Sequence, residues 1–133
     1  MSEVYRFDQR YVVVNPKGQS RLWKPEEFWK MAFNPDHPEN KADMGYLVSK
    51  YEFDKDWDSW ENHPNGDEVV FCISGRMTFL MEGEKGLQEH SLLPGSFLIV
   101  SKNTWHTAQV HEPSEVLFMT WGYGTQHRSI DKK

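Results

Sequence analysis

The chain has 133 residues, with 15 Lys and Arg against 20 Asp and Glu, so its formal net charge is −5 at pH 7. This length suits one domain, since single domains peak at about 100–150 residues. The acidic balance and the lack of a long apolar run predict neither a nucleic-acid partner nor a membrane partner. The single cysteine, Cys72, excludes a disulfide within the chain and a cysteine-rich zinc site, so any metal must be held by nitrogen and oxygen.

Residues 1–45 are predicted to form an extension that packs on the main domain. A strand over 11–14 is ended by the turn-forming run Asn15 to Gly18. A short helix is expected to begin at Pro25, because proline suits the first helical position and apolar residues then recur on one face. The start MSEVYRFDQR has no apolar stretch typical of a signal peptide, so we expect a cytoplasmic protein.

From Tyr46 onward, short apolar runs alternate with turn residues every 8–12 positions, which is typical of an antiparallel sandwich or barrel. Curling such a sheet into a barrel or jelly roll protects its edge strands. We therefore predict an all-β domain over residues 46–128. Its strands are expected at 46–53, 59–63, 68–74, 76–82, 87–92, 97–101, 106–110 and 115–121.

Three side chains around one predicted turn have the spacing of a metal site. Glu61 and His63 lie two residues apart, on one face of a strand. If residues 64–67 close a hairpin, Glu68 stands opposite His63 on the returning strand. His106 heads a later strand and supplies a second imidazole. Two histidines and a carboxylate, with positions left open, suit an octahedral first-row metal.

These residues resemble the two sequence motifs of the cupin family. The first family motif is G-x5-H-x-H-x4-E-x6-G, and the chain has Glu61-x-His63-x4-Glu68-x6-Gly75. The second is G-x5-P-x-G-x2-H-x3-N, and the chain has Gly95-x5-Ser101-x-Asn103-x2-His106. Glu61 therefore replaces the first histidine of the family's ligand set, while Ser101 and Asn103 replace residues that shape a turn.

The resemblance implies a cupin barrel, a double-stranded β-helix or jelly roll, preceded by a short strand and helix. It implies one divalent transition metal, Fe, Mn, Ni or Zn, at the barrel centre, with His63, Glu68 and His106 as ligands. Glu61 is then either a fourth ligand or a general base. The resemblance also implies a homodimer, with the N-terminal segment adding a strand to its own or a partner subunit.

The leading functional hypothesis is a metal-dependent enzyme, an oxygenase, isomerase or lyase, that acts on a small organic molecule. The alternative is a non-catalytic cupin that binds a small molecule with or without a metal, or that has lost its metal. The glycine-broken stretch 121–128 ends in His127 and Arg128. Two interpretations stay open for this stretch: a solvated extension, or a segment that closes the barrel mouth or binds an anionic substrate.

A substrate pocket with aromatic walls is predicted from tryptophans that lie close to the motifs. Trp60 precedes Glu61, Trp105 precedes His106, and Trp121 lies on a late strand. Strand alternation also places Cys72 on the face of Glu68. Because no basic neighbour is available to activate its thiol, we expect a small lining residue rather than a nucleophile.

Overall fold

A computed structural model describes residues 3–130, so the first two residues of the predicted extension lie outside the described part. Within that range the chain forms nine strands and one helix. In chain order they are β1 Tyr11–Val14, β2 Ser20–Trp23, α1 Pro25–Ala32, β3 Tyr46–Phe53, β4 Ser59–Asn62, β5 Glu68–Gly83, β6 Gly86–Leu92, β7 Phe97–Val100, β8 His106–Thr120 and β9 Gln126–Ser129. No helix of the described residues is both long and apolar enough to cross a membrane.

The two long strands, β5 and β8, hold the barrel together. They pair antiparallel along nearly their whole lengths, from Glu68 opposite Thr120 to Met81 opposite His106. The C-terminal half of β8 also pairs with β3, which continues to β1 and β2, while the N-terminal half of β5 pairs with β7. The N-terminal end of β8 pairs with β4, and the C-terminal half of β5 pairs with β6. Strand β9 pairs with β4. The predicted all-β cupin barrel is confirmed.

The β5–β8 ribbon bends sharply in its middle. The pairing register shifts repeatedly between Cys72 and Met77, and Gly75 in this bulge has a φ of 88°. A Cβ at Gly75 would collide with the Ser114 hydroxyl and the Pro113 carbonyl oxygen. A bulge with glycine at a positive φ is a usual way to bend a strand. The strands predicted over 68–74 and 76–82 are therefore the two halves of one bent strand, and the same holds for 106–110 and 115–121.

Two apolar clusters fill the structure. The barrel cluster contains residues from β5 to β8: Val70, Cys72, Met77, Phe79, Leu92, Val100, Ala108, Val116 and Phe118. The second lies between α1 and strands β1–β3: Tyr11, Val13, Trp23, Phe28, Met31 and Leu47. Because α1 buries Phe28 and Met31 against this sheet, the N-terminal segment forms part of the barrel wall. The division of the chain at residue 45 stays a prediction.

Two features differ from the sequence-based expectations. The strands β2 and β9 were not predicted, because both lie at sheet edges and show no apolar alternation, with all of β9 exposed. The predicted hairpin across residues 64–67 is wrong. Strand β4 pairs with β8 and β9, whereas β5 pairs with β6, β7 and β8. Residues 64–67 therefore connect strands that are not hydrogen-bonded to each other.

The bend at Gly75 gives a stability prediction. Gly75→Ala should lower the free energy of unfolding by about 3 kcal/mol, because the backbone strain of a positive φ adds to the collision with residues of β8. The control is Gly18→Ala, which has a φ of 79° but no atom within 4 Å of the added Cβ. It should cost only about 1 kcal/mol. Equal losses in urea denaturation would show that the close approach to β8 is unimportant.

Candidate metal centre

Four side chains from three strands and one loop meet at one end of the barrel. Glu61 of β4 lies directly opposite His106 of β8, so both side chains point to the same face of the sheet. His63 follows β4, and Glu68 begins β5. Measured along a straight strand at about 3.3 Å per residue, Glu68 would lie ~43 Å from Met81, the neighbour of His106. The bend in the β5–β8 ribbon brings these two ends together.

The four groups are close enough to surround one ion. The Nε2 atom of His63 lies 3.2 Å from Glu68 Oε2, and that of His106 lies 3.3 Å from Glu68 Oε1. Glu61 Oε2 is 3.8 Å from His63 Nε2 and 4.0 Å from His106 Nε2. One donor atom each of Glu61, His63 and His106 lie within 4.8 Å of one another. The structure thus brings together all four residues that the sequence motifs singled out.

Hydrogen bonds fix both histidines with Nε2 as the free acceptor. The Thr125 hydroxyl donates to the Gly122 carbonyl oxygen at 2.8 Å, so its oxygen is left to accept from His63 Nδ1, also at 2.8 Å. His106 Nδ1 lies 3.0 Å from the Thr104 carbonyl oxygen, which can only accept. Both rings therefore carry hydrogen on Nδ1 and direct an Nε2 lone pair into the site, as metal-bound histidines do.

Within residues 3–130, three buried acceptor atoms of this site have no hydrogen-bond partner: Nε2 of His63, Nε2 of His106 and Oε1 of Glu68. All three residues are at most 5% exposed. The second oxygen of Glu68 accepts a hydrogen bond from the Thr120 hydroxyl at 2.6 Å. Acceptors that face one another without a donor are costly when buried, and a cation relieves that cost. The donor set therefore fits a metal ion with nitrogen and oxygen ligands.

In the absence of a metal, the same groups attract a proton. Burial by itself raises the pKa of Glu68, but the adjacent imidazoles of His106 and His63 outweigh burial and lower that pKa. Burial lowers the pKa of His106, yet the Glu68 carboxylate reverses the effect and raises it above the 6.5 of free imidazole. A metal at this site must displace that proton.

Glu61 lies at the boundary between the buried cluster and the open mouth of the barrel. Its side chain is 28% exposed. While Oε2 faces the two ligand histidines, Oε1 lies 3.2 Å from His127 Nε2 on β9. Because one oxygen faces the cluster and the other an exposed residue, Glu61 is placed either to complete the ligand set or to contact a bound molecule.

Polar contacts hold the two ligand-bearing loops together. The backbone N–H of Asn103 donates to the His63 carbonyl oxygen at 3.0 Å, and the Asn62 side chain donates to the Asn103 side-chain oxygen at 3.0 Å. Asn103 has a φ of 63°. Asparagine tolerates this left-handed conformation better than most residues. The replacement of the motif glycine by Asn103 therefore preserves the turn that positions His106.

The C-terminal segment forms one side of the mouth. Strand β9 pairs with β4, which places His127 opposite Glu61. Arg128 forms an ion pair with Glu82 and lies over the rings of Trp60 and Trp105, at 5.2 and 4.6 Å from their centroids. The Arg128 guanidinium thus anchors β9 to the outside of the barrel. No feature of the local sequence indicated that Thr125 of this segment would contact a ligand histidine.

A cavity of about 960 Å³ extends from the cluster towards α1. Its lining includes Glu61, His63 and Glu68, together with aromatic side chains from α1, the turn after it, β3, the 54–58 loop, β8 and the loop before β9. These are Phe28, Trp29, Phe33, Tyr51, Phe53, Trp57, Phe118 and Tyr123. The cavity therefore has aromatic walls, and they are formed by residues other than the predicted ones.

The predicted lining residues Trp60, Cys72, Trp105 and Trp121 do not border this cavity. The rings of Trp60 on β4 and Trp105, just before β8, lie under Arg128, and Trp121, just after β8, packs edge to face against Tyr46. Cys72 does share the face of Glu68, but four residues further along β5 it lies in the barrel core. Burial raises the pKa of its thiol, which is consistent with an inert core residue.

The cupin domain family model, Cupin_2, matches residues 51–122, more than half of the chain. The chain therefore belongs to the cupin family. No curated protein matches its sequence significantly.

Solved structures show the same fold at low sequence identity. A cupin-2 domain containing protein from Shewanella frigidimarina is 17% identical, with 56% of this chain and 69% of that chain covered and a TM-score of 0.50. Hydroxypropylphosphonic acid epoxidase from S. wedmorenis is 13% identical, with 58% and 44% covered and a TM-score of 0.50. Peruvianin-I, a cysteine peptidase from Thevetia peruviana latex, is 14% identical, with 66% and 58% covered and a TM-score of 0.55. The match spans less than half of the epoxidase.

The electrostatics of the cluster predict a pKa change that is measurable in metal-free protein. Glu68→Gln removes the charge that raises the pKa of His106 but leaves the ring buried, so this pKa should fall. Titration of the histidine ring signals by NMR measures the change, and the signals of His37, outside the cluster, serve as an internal control. An unchanged His106 midpoint would contradict the proposed pairing with Glu68.

Proposed function

We propose that the chain binds one divalent transition metal, Fe, Mn, Ni or Zn, through His63, Glu68 and His106, and acts on a small organic molecule held in the adjacent cavity. The observation that carries the proposal is the set of three buried acceptor atoms that converge without a donor. When bound, such a metal polarises an oxygen atom of the molecule as a Lewis acid. An oxygenase, an isomerase and a lyase can each use this chemistry.

The residues around the proposed ligands support their role by limiting their freedom. Thr125 and the Thr104 carbonyl hold the two imidazoles with Nε2 directed inward, and Thr120 holds one oxygen of Glu68. Such outer contacts typically contribute 10–100-fold to metal affinity. The site is therefore formed by the folded barrel itself and does not require a ligand to swing into place.

Glu61 is proposed as the residue that accepts a proton from the bound molecule, with a fourth-ligand role as the alternative. Two observations support the first role: its partly exposed position on the cavity wall and its contact with His127. A carboxylate bordering the cavity can reach a substrate proton, and His127 can hold it in place. A non-catalytic binding protein, the alternative function, would use the same cavity but would have no need of a base at this position.

Replacement of the ligand histidines tests the metal site. His63→Ala and His106→Ala should each lower bound metal to well below one equivalent, because removing one of three ligands weakens binding strongly, while the barrel stays folded. Elemental analysis of untagged protein and circular dichroism measure the two properties. His111→Ala, at an exposed histidine outside the cluster, is the matched control and should keep its metal. Full metal content in both ligand variants would refute the assignment.

Glu61→Gln separates the two roles of Glu61. As a general base, Glu61 contributes little to metal affinity, so the variant should keep one equivalent of metal and lose about 10²–10⁴-fold of turnover. If Glu61 is instead a metal ligand, the variant should lose metal. Turnover is measured against a panel of small acids, diketones and thiols. Unchanged turnover at full metal content would exclude Glu61 as the base, and no turnover by the wild type would favour the binding function.

A homodimer is proposed from an apolar outer face of the barrel. Among the strands of the described residues, β7 is hydrogen-bonded on one edge only, to β5. Around it, Phe97, Ile99, Ile73 and Leu93 are 48–63% exposed. Contiguous exposed apolar side chains of this kind mark interaction surfaces. A two-fold interface joins identical patches. In such a dimer, the apolar face of one subunit would pack against the same face of the second subunit, so both faces would be covered.

Sedimentation tests the dimer. The wild type should sediment at twice its chain mass of 15.7 kDa, and Phe97→Asp should sediment as a monomer, since a buried unpaired charge is costly. Leu87→Asp, at an exposed apolar residue of β6, is the control and should stay dimeric. A monomeric wild type at about 0.1 mM would exclude a stable dimer.

A further inference from the structure

We propose that the cavity selects a molecule with a positively charged nitrogen on an apolar or aromatic body. This proposal rests on the function above only in taking the cavity as the ligand site. The cavity is suited to a ligand because three buried residues beside it have acceptor atoms without a hydrogen-bond partner among the described residues. Two of these residues, His63 and Glu68, line the cavity. The charge and chemistry of the remaining wall decide which class of molecule fits.

The wall between the cluster and α1 is aromatic. Tyr51 and Phe53 of β3, Trp57 of the next loop and Phe118 of β8 border the cavity. Their rings pack against one another: Tyr51 lies 5.9 Å from Phe118, and Phe53 lies 5.7 Å from Trp57, between ring centroids. Packed rings of this kind accept an apolar body, and their faces attract a cation within about 6 Å.

The rim of the cavity is acidic. The loop from Asp54 to Asp58 contributes three aspartates and one lysine to the lining, and all four side chains are exposed. Asp56 uses one oxygen to accept the Val110 amide at 2.7 Å, whereas Asp54 and Asp58 make no side-chain hydrogen bond within the described residues. Two carboxylates therefore remain available at the rim beside the aromatic wall.

The inner end of the cavity offers an anion no surplus positive charge. The side chains of Glu61 and Glu68 line this end, so a divalent metal there would lie beside two carboxyl groups. The Arg128 guanidinium faces outward, held by Glu82 and two tryptophan rings. Among the described lining residues, Lys55 is the only lysine or arginine. An anionic molecule would thus meet a negative field, while a cationic nitrogen at the rim would be attracted.

The test uses three probes that share a benzyl group: benzyltrimethylammonium, benzyl alcohol and phenylacetate. The quaternary ammonium has no lone pair, so it cannot ligate a metal, whereas phenylacetate can, which biases the comparison against the proposal. Binding is measured by isothermal titration calorimetry on the full chain, both Zn²⁺-loaded and chelator-treated. Benzyltrimethylammonium should bind about tenfold more tightly than phenylacetate in both preparations, with benzyl alcohol in between.

A pair of matched variants locates the charge effect. Asp54→Asn with Asp58→Asn should weaken ammonium binding about fivefold and leave benzyl alcohol unchanged. Glu84→Gln with Glu89→Gln changes the net charge equally at exposed sites outside the cavity lining and should leave both affinities unchanged. An equal loss in the two double variants would overturn the proposal, because the effect would then come from overall charge.

Three further results would overturn the proposal: phenylacetate binding as tightly as the ammonium probe, no ammonium binding up to about 10 mM, or no effect of the aspartate substitutions. Zinc content, measured on the same preparations, distinguishes this failure from failure of the proposed metal function. Ammonium selectivity without bound zinc would support the ligand class and exclude zinc as the metal of the site. One equivalent of zinc without ammonium selectivity would do the reverse.

Discussion

The bend of the β5–β8 ribbon is the constraint on which the candidate site depends. A straight ribbon would hold Glu68 and His106 tens of ångströms apart, at opposite ends. The bulge around Gly75 folds the ribbon so that these side chains approach to 3.3 Å. The same bend gives the two halves of each long strand different neighbouring strands, so closure of the barrel and assembly of the cluster depend on one feature. The strained backbone at Gly75 and the close approach of Glu68 to His106 therefore depend on each other, because both belong to the β5–β8 ribbon.

Charge compensation is the second constraint. Two imidazoles and a carboxylate are buried with their acceptor atoms facing one another, an arrangement that a proton or a metal ion relieves. Glu61 adds a second carboxylate at the edge of this cluster, in place of the histidine typical of the family motif. Relative to a site with three histidines and one carboxylate, the exchange makes the site more negative by one charge. The acidic loop at residues 54–58 extends that negative character to the cavity rim, which connects the proposed metal chemistry with the proposed ligand class.

The sequence motifs located the cluster, although one step of the structural interpretation was wrong. Spacing indicated that Glu61 and His63 share a face and that Glu68 lies near them, and all three meet at the site. The structural cause of this proximity differs from the predicted one, because no hairpin joins β4 to β5. The contact between Glu68 and His63 comes from barrel closure. Spacing within a motif can be correct for a family without revealing which strands pair, because pairing depends on parts of the chain outside the motif.

By itself, the sequence determined the all-β class, the cupin barrel, the N-terminal helix and the residues of the cluster, because alternation, turn residues and motif spacing are local properties. Only the tertiary structure decided which residues line the cavity. Trp60 and Trp105 lie next to Glu61 and His106 in the chain but face outward under Arg128, whereas Tyr51 and Trp57 line the cavity. The contact of Thr125 with His63 likewise joins residues 62 positions apart. Such contacts are set by how the sheets curl around a common interior, which no local pattern records.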